Sequence, residues 1–254
     1  MEEITMITTK SNTLCYLNNI NTIILDLDGT IYPESGITSQ IKMYMRQQAA
    51  KTLGVNEQNA LRMLKTYAKQ YATELIGLKE LHGINPEYFL EEVYSQINIS
   101  TIESYEGVRE NLRELSKFYT LVLTTNSNRG HAKRVIEKFK LTNIFDFIFS
   151  VEDWEFIRKP NPLVFNGILE KVGIEAMNAI LFDDSYLNLN TAKKIGMKTV
   201  LVSNNIVEPP FFFEMHKQEK HLIPSSVDIA THNISDVLQL LLRKYQNDAE
   251  KLTY

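Results

Sequence analysis

The sequence predicts an α/β protein: a doubly wound parallel sheet with a block of helices inserted after its first strand. Three observations carry this. From Tyr105 onward helical and strand patterns alternate, the rhythm that builds parallel sheets covered on both faces. Between Tyr32 and about Glu103 the pattern is helical throughout, unlike the interior of such a sheet. Two short apolar runs, Ile23 to Leu27 and Ile180 to Phe182, each deliver aspartates at their carboxyl ends, where ligands sit in open α/β sheets.

Residues 1–20 are polar, rich in Thr and Asn and without period, and read as a loosely attached leader. A strand from about Thr22 to Leu27 follows, and Gly29 lets the chain leave it through a conformation a side chain would hinder. In the helical block, Ile37, Ile41, Met45 and Ala49 repeat at helical spacing up to a stop at Gly54. Asn56 is a candidate cap for a second helix with Leu61, Leu64, Ala68 and Tyr71 on one face. Gly83 ends the next segment, and Asn85-Pro86 opens a helix whose inward face is Phe89, Val93 and Ile97.

Beyond the block come a helix with Val108, Leu112 and Leu115 and a strand over Thr120 to Thr124. A helix carrying Ala132, Val135, Ile136 and Phe139 precedes a strand over Phe147 to Val151. Next are a helix with Phe165, Ile168, Leu169 and Val172 closed by Gly173, and a strand over Ala179 to Phe182. A helix over Leu189 to Ile195, stopped by Gly196, leads to a strand over Thr199 to Val202. The 203–226 connection holds the aromatic run Pro209-Pro210-Phe211-Phe212-Phe213 and reads as a lid or packing segment against the core, with a dimer contact as the alternative. A strand near Val227 to Ala230 and a helix from about Asn233 to Lys244 close the fold.

Composition excludes several classes of function. With 254 residues, 44% of them hydrophobic, the chain can bury a full core. The net charge of −4 is spread without a basic tract, against nucleic-acid binding. The lone Cys15 excludes an intramolecular disulfide framework and fits a reducing compartment. No apolar run reaches transmembrane length, and Met1-Glu2-Glu3 does not open a signal peptide, so the expectation is a cytoplasmic protein without a membrane partner.

Four stretches carry the chemistry. Asp26 and Asp28 end the first strand, and Asp183 and Asp184 end a later one. Four carboxylates at one sheet edge would raise one another's pKa, and a hard divalent cation resolves that; all-oxygen ligands point to Mg²⁺. Thr125 and Asn126 follow the second strand, where a hydroxyl and free backbone N–H groups form a phosphate cradle. Lys159, held before Pro160, can neutralise charge between carboxylates and phosphate. Singly, these have ordinary readings: an Asp-rich turn, a helix capped by Asn126 or Ser127, a solvated lysine. Their joint order is what points to a site. With five dispersed histidines and one cysteine, zinc has no support.

In this order the four stretches resemble the motifs of the haloacid dehalogenase superfamily of phosphohydrolases, over roughly residues 20 to 203. A closer resemblance, to its pyrimidine 5′-nucleotidase branch, is carried by Asp28-Gly29-Thr30-Ile31-Tyr32-Pro33, by Thr125-Asn126-Ser127-Asn128-Arg129-Gly130-His131-Ala132 and by Tyr71-Ala72-Thr73-Glu74-Leu75-Ile76-Gly77-Leu78. Ala72 departs from the branch pattern, which has Gly there, and Gly29 stands where many members have Asn.

The resemblance implies a core domain of residues 1–31 and 104–254 and a helical cap domain of residues 32–103. It implies that Asp26 is the nucleophile and a Mg²⁺ ligand, and that Asp28 is the general acid and base whose backbone carbonyl also serves the metal. Thr125 and Asn126 would bind the phosphoryl group, Lys159 would bridge it to Asp26, and Asp183 and Asp184 would complete the metal site. An acid two residues after the nucleophile separates phosphatases from dehalogenases, whose halide leaves without a proton. Tyr32, Tyr67, Tyr71 and Glu74 are candidate cap contacts, each more readily explained by packing or surface exposure. The expected reaction is hydrolysis of a small phosphomonoester, foremost a pyrimidine nucleoside 5′-monophosphate, with phosphoglycolate or a sugar phosphate as the alternative. A phosphomutase and a non-catalytic binding protein on the same fold are weaker alternatives.

Overall fold

The computed structural model describes residues 8–9, 17–203 and 224–251. Cys15 and the aromatic run Pro209 to Phe213 lie outside the described residues, as does nearly all of the 203–226 connection.

β1 (Thr8–Thr9) is followed by β2 (Thr22–Leu25). The helical block comprises α1 (Ile37–Leu53), α2 (Glu57–Gln70), α3 (Glu74–His82) and α4 (Pro86–Tyr94). Then come α5 (Val108–Leu115), β3 (Thr120–Thr124), α6 (Arg129–Lys138), β4 (Phe147–Phe149) and α7 (Pro162–Val172). β5 (Ala179–Asp183), α8 (Tyr186–Ile195), β6 (Lys198–Val202), β7 (Ile229–Thr231) and α9 (Ile234–Lys251) complete the chain.

The sheet order is β1-β7-β6-β5-β2-β3-β4. Six strands are parallel, and β1 adds an antiparallel edge through Thr8 opposite Ala230 and Thr9 opposite Ile229. Reading residues 1–20 as a leader without period misses β1, because two threonines are too short a run to carry alternation. The strands follow the pleat. Ile23 and Leu25 face a core layer with Val108, Leu112, Val135, Ile136, Val237 and Leu241 of α5, α6 and α9. Ile24 faces the opposite layer with Phe165 and Ile168 of α7 and Leu189 and Ala192 of α8. Each large aliphatic side chain so buried contributes about 1.5–3 kcal/mol.

The strand order reverses at β2: β3 and β4 lie to one side, β5, β6 and β7 to the other. Leu25 pairs with Leu123 and with Phe182, so the carboxyl ends of β2, β3 and β5 finish at one level. The predicted β2 ran to Leu27. Regular pairing stops at Leu25, although the Asp26 N–H still donates to the Phe182 carbonyl at 2.9 Å and keeps Asp26 in register.

The α2 face differs from the expected one. Ala60, Leu64 and Tyr67 are its buried residues, whereas Leu61 and Ala68 border a cavity. At the α2–α3 contact a side chain on Gly77 would meet the Tyr67 Cβ at 2.4 Å, so glycine lets the helices approach. Tyr67 hydrogen-bonds His82 at 2.6 Å, and Tyr71 packs edge-on to Tyr67. Both tyrosines pack the helical block, as the blander reading had it. No described helix is long and apolar enough to cross a membrane.

Candidate functional site

The ends of β2, β3 and β5 bring together Asp26, Asp28, Thr125, Asn126, Lys159 and Asp184 on the wall of one cavity of about 940 Å³. Lys159 is its anchor. The ammonium donates to Asp26 Oδ1 at 2.7 Å, to Asp183 Oδ2 at 3.0 Å and to the Thr124 carbonyl at 3.1 Å. Its position is fixed from behind by Asn126, whose Oδ1 accepts the Lys159 N–H at 2.8 Å and whose Nδ2 donates to the Lys159 carbonyl at 3.0 Å. Asn126 was expected to bind phosphate or to cap the next helix. Its amide is instead spent on the lysine backbone, and the cap of α6 is Asn128, which accepts the His131 N–H at 2.9 Å. Sequence alone could not separate these roles, because Asn126, Ser127 and Asn128 are all capping residues.

Asp183 is fully buried: besides Lys159 it accepts from the Ser185 N–H at 2.9 Å and from Asn188 Nδ2 at 2.9 and 3.0 Å. Asp184 opens onto the cavity. It lies against Gly29, whose φ is 86° and whose missing side chain would meet Asp184 Oδ2 at 2.3 Å. Asp26, Asp183 and Asp184 each offer a carboxylate oxygen within 4.8 Å of the others. The Asp28 carboxylate is not in that group; the resemblance gave the metal its backbone carbonyl, not its side chain.

The electrostatics fit a cation. Lys159 stays protonated, because the charges of Asp183 and Asp26 outweigh the opposing effect of burial. Asp26 is nonetheless pushed well above the usual carboxylate range, by burial first and then by Asp183, Asp184 and Asp28 acting against Lys159. Asp184 is pushed up to about 7 by burial and by Asp183, even though its side chain opens onto the cavity. One ammonium does not balance this cluster. An all-oxygen donor set with unrelieved negative charge suits a hard divalent ion such as Mg²⁺.

Asp28 behaves oppositely. Burial alone would raise its pKa, but hydrogen bonds from His131, Ser127 and Tyr32 hold it below the usual carboxylate range. Tyr32 Oη donates to Oδ1, His131 Nε2 lies 2.9 Å from the same oxygen, and Ser127 Oγ donates to Oδ2. Thr125 Oγ1, at 3.5 Å from Oδ2, is a weak fourth neighbour, and it accepts the Ser127 N–H at 3.0 Å. Tyr32, a candidate cap contact more readily explained by packing, takes the packing role. It is fully buried beneath Asp28. The sequence reading assigned no role to Ser127 or Asn188 beyond a possible cap, and quoted His131 only as part of a motif. Their spacing from Asp28 and Asp183 in the chain gives no signal, except that Tyr32 lies four residues after Asp28.

The helical block supplies the far wall. Ile41, Met45, Leu61, Leu64, Leu75 and Leu90 give it an apolar lining, with Lys42, Arg46 and Lys65 among them. Glu74 forms an ion pair with Arg158, and Thr73 Oγ1 donates to the Phe156 carbonyl at 3.2 Å, tying α3 to the loop that carries Lys159. Glu74 thus lies on the cavity wall.

A family model described as haloacid dehalogenase-like hydrolase matches residues 23–202. Phosphate metabolism protein 8 of Saccharomyces cerevisiae is 26% identical over 194 residues, 69% of this chain but only 59% of the yeast protein's length. Pyrophosphatase PpaX of Halalkalibacterium halodurans is 27% identical over 195 residues, 72% of this chain and 83% of that protein. Phosphoglycolate phosphatase of Vibrio vulnificus is 26% identical over 193 residues, 70% of this chain and 81% of that protein. Among solved structures, an HAD phosphatase from Thermococcus onnurineus superposes with a TM-score of 0.57 at 19% identity, covering 87% of this chain and 98% of that one. At that identity the likeness is one of fold. None of these names carries the nucleotidase branch.

Proposed function

The chain belongs to the haloacid dehalogenase-like hydrolases, and from that premise we propose that it hydrolyses a small phosphomonoester through an aspartyl-phosphate on Asp26. The observation that carries the reading is the joint placement of Asp26 against Lys159, Asp183 and Asp184, with a second acid, Asp28, at the same cavity. Residues 32–103 act as a cap that closes the cavity over residues 1–31 and 104–254.

Asp26, Asp183, Asp184 and the Asp28 carbonyl would hold Mg²⁺, which when bound neutralises charge on the phosphoryl oxygens. The protein's own steps follow. A carboxylate oxygen of Asp26 attacks phosphorus as the bond to the leaving oxygen breaks, and Asp28, carrying the proton taken from water in the preceding turnover, gives that oxygen its proton. Asp28 then takes a proton from a water that attacks the aspartyl-phosphate, releasing inorganic phosphate and restoring Asp26. Thr125 receives a phosphoryl oxygen, and Lys159 keeps Asp26 aimed and its charge balanced.

For the substrate, the names of the relatives favour a small phosphorylated metabolite, phosphoglycolate or a sugar phosphate, ahead of a pyrimidine nucleotide. One observation supports the nucleotide as a second reading: the cavity of about 940 Å³, with its apolar far wall, has room for a nucleoside. Phosphate release with Mg²⁺ across phosphoglycolate, glyceraldehyde 3-phosphate, hexose phosphates, pyrophosphate, UMP, CMP, dTMP, AMP and GMP separates the two. Release from the small phosphates alone supports the first reading and release from the pyrimidine nucleotides the second. No release from any member, with or without metal, contradicts both.

A further inference from the structure

The best-determined carboxylate in the cavity is not the nucleophile but Asp28, and its holders come from three places in the chain. Tyr32 reaches Oδ1 from the turn after β2, His131 Nε2 reaches the same oxygen at 2.9 Å from the first turn of α6, and Ser127 reaches Oδ2 from the loop before it. Tyr32 and His131 are both fully buried. The His131 Nδ1 has no hydrogen-bond partner among the described residues, so its contact with Asp28 is the ring's sole polar tie. A buried imidazole with one nitrogen unpartnered carries a desolvation cost. With Nδ1 bare, Nε2 is the ring atom that can meet the carboxylate.

The helical block reaches this arrangement from behind. The Tyr94 ring of α4 lies 5.2 Å from the His131 ring. One turn earlier Glu91 accepts from Asn128 Nδ2 at 3.0 Å, at the cap of the helix that carries His131. The two oxygens of Asp28 are thus fixed by donors that are themselves fixed, by α6 and by the contact of α4 upon it.

We propose that His131, with Tyr32, is a positioning residue for Asp28: the two set the direction in which that carboxylate delivers a proton to the leaving oxygen. This rests on the phosphatase reading and deepens it. Both side chains touch the Asp28 carboxylate, and neither lines the cavity. A carboxylate freed to rotate about its own bond would still be present, but aimed at the leaving oxygen only part of the time.

The consequence depends on the leaving group. An alkyl oxygen leaves poorly without a proton, whereas p-nitrophenolate leaves without help. The quantity to read is kcat/KM, which reports the step that expels the leaving group, for p-nitrophenyl phosphate and for the best alkyl phosphomonoester. The enzymes compared are wild type, Tyr32→Phe, His131→Leu and His131→Gln. Gln can place an N–H near the imidazole Nε2, and Leu cannot. Thermal melts confirm that each variant is folded.

The expected result is that the alkyl-to-aryl ratio of kcat/KM falls tenfold or more in Tyr32→Phe and His131→Leu, and that His131→Gln recovers most of it. Equal losses on both substrates, or a Gln variant no better than Leu, would overturn the proposal and leave His131 a packing residue. Wild type inactive on both substrates would overturn the phosphatase reading and this inference with it. Unchanged ratios in an active enzyme would overturn this inference alone.

Discussion

Lys159 and Asp26 are held 2.7 Å apart with both side chains almost closed to solvent, 1% and 9% exposed. The pair is 133 residues apart in the chain, so only the completed sheet creates it. A buried pair of this kind is poor evidence for net stability, yet breaking it from one side is expensive, because the remaining charge has nowhere to go. Here it would strand two carboxylates, since Asp183 shares the same ammonium.

Lys159→Met should therefore destabilise the metal-free protein by about 3–5 kcal/mol, as for other buried pairs broken from one side. The loss should grow from pH 5 to pH 8 as the stranded carboxylates ionise, and shrink when Mg²⁺ is added. Denaturant titrations at both pH values, with and without the metal, check it. Unchanged midpoints would mean the lysine is not the counter-charge the geometry makes it.

Gly29→Ala addresses the metal site from another side. At φ 86° a Cβ is strained by about 1–2 kcal/mol, and here it would also meet Asp184 Oδ2 at 2.3 Å. Asp184 must move, so the variant should fold with a modestly lowered melting temperature but need at least tenfold more Mg²⁺ for half-maximal activity. Metal titrations of activity, paired with melts, read both. A normal metal requirement would remove Asp184 from the ligand set.

The pH dependence follows from the sign of one shift. Asp184 is raised in the folded chain to about 7, against about 4 for a free carboxylate. The metal-free fold thus binds that proton more tightly than the unfolded chain does. The stability it contributes is present in full below about pH 4 and is lost as pH rises through about 7. A bound cation reverses the balance by favouring the ionised form. Stabilisation by Mg²⁺, read as a melting shift, should therefore be small at pH 5.5 and large at pH 8. In Asp184→Asn that contrast should shrink. A melting shift independent of pH would contradict the assignment.

Much of the fold was legible because local signals agreed with global need. Apolar runs of strand length ended where carboxylates began, glycines followed helices at Gly54, Gly83, Gly173 and Gly196, and Asn56 and Asn85 cap α2 and α4 as read. The four motif stretches converge because β2, β3 and β5 are neighbours with Asp26, Thr125 and Asp183 at or just beyond their ends. What escaped is what crosses between elements. Whether Asn126 or Asn128 caps α6 depends on the loop carrying Lys159 coming to lie against Asn126. Tyr32 and His131 look like core aromatics in any periodicity argument, and only the packed structure puts both on one oxygen of Asp28. The face of α2 was misjudged by one position, since Leu61 and Ala68 line the cavity instead of the core.

The central claim is that Asp26 carries the phosphoryl group, and trapping that intermediate tests it most directly. The protein is mixed with Mg²⁺ and its best phosphomonoester, quenched in acid, digested and mapped by mass spectrometry. The account predicts phosphorylation on the peptide holding Asp26, absent when EDTA replaces the metal, and an Asp26→Asn variant that melts normally, forms no adduct and releases no phosphate. A phosphoryl group found on another residue, or turnover surviving in Asp26→Asn, would contradict it.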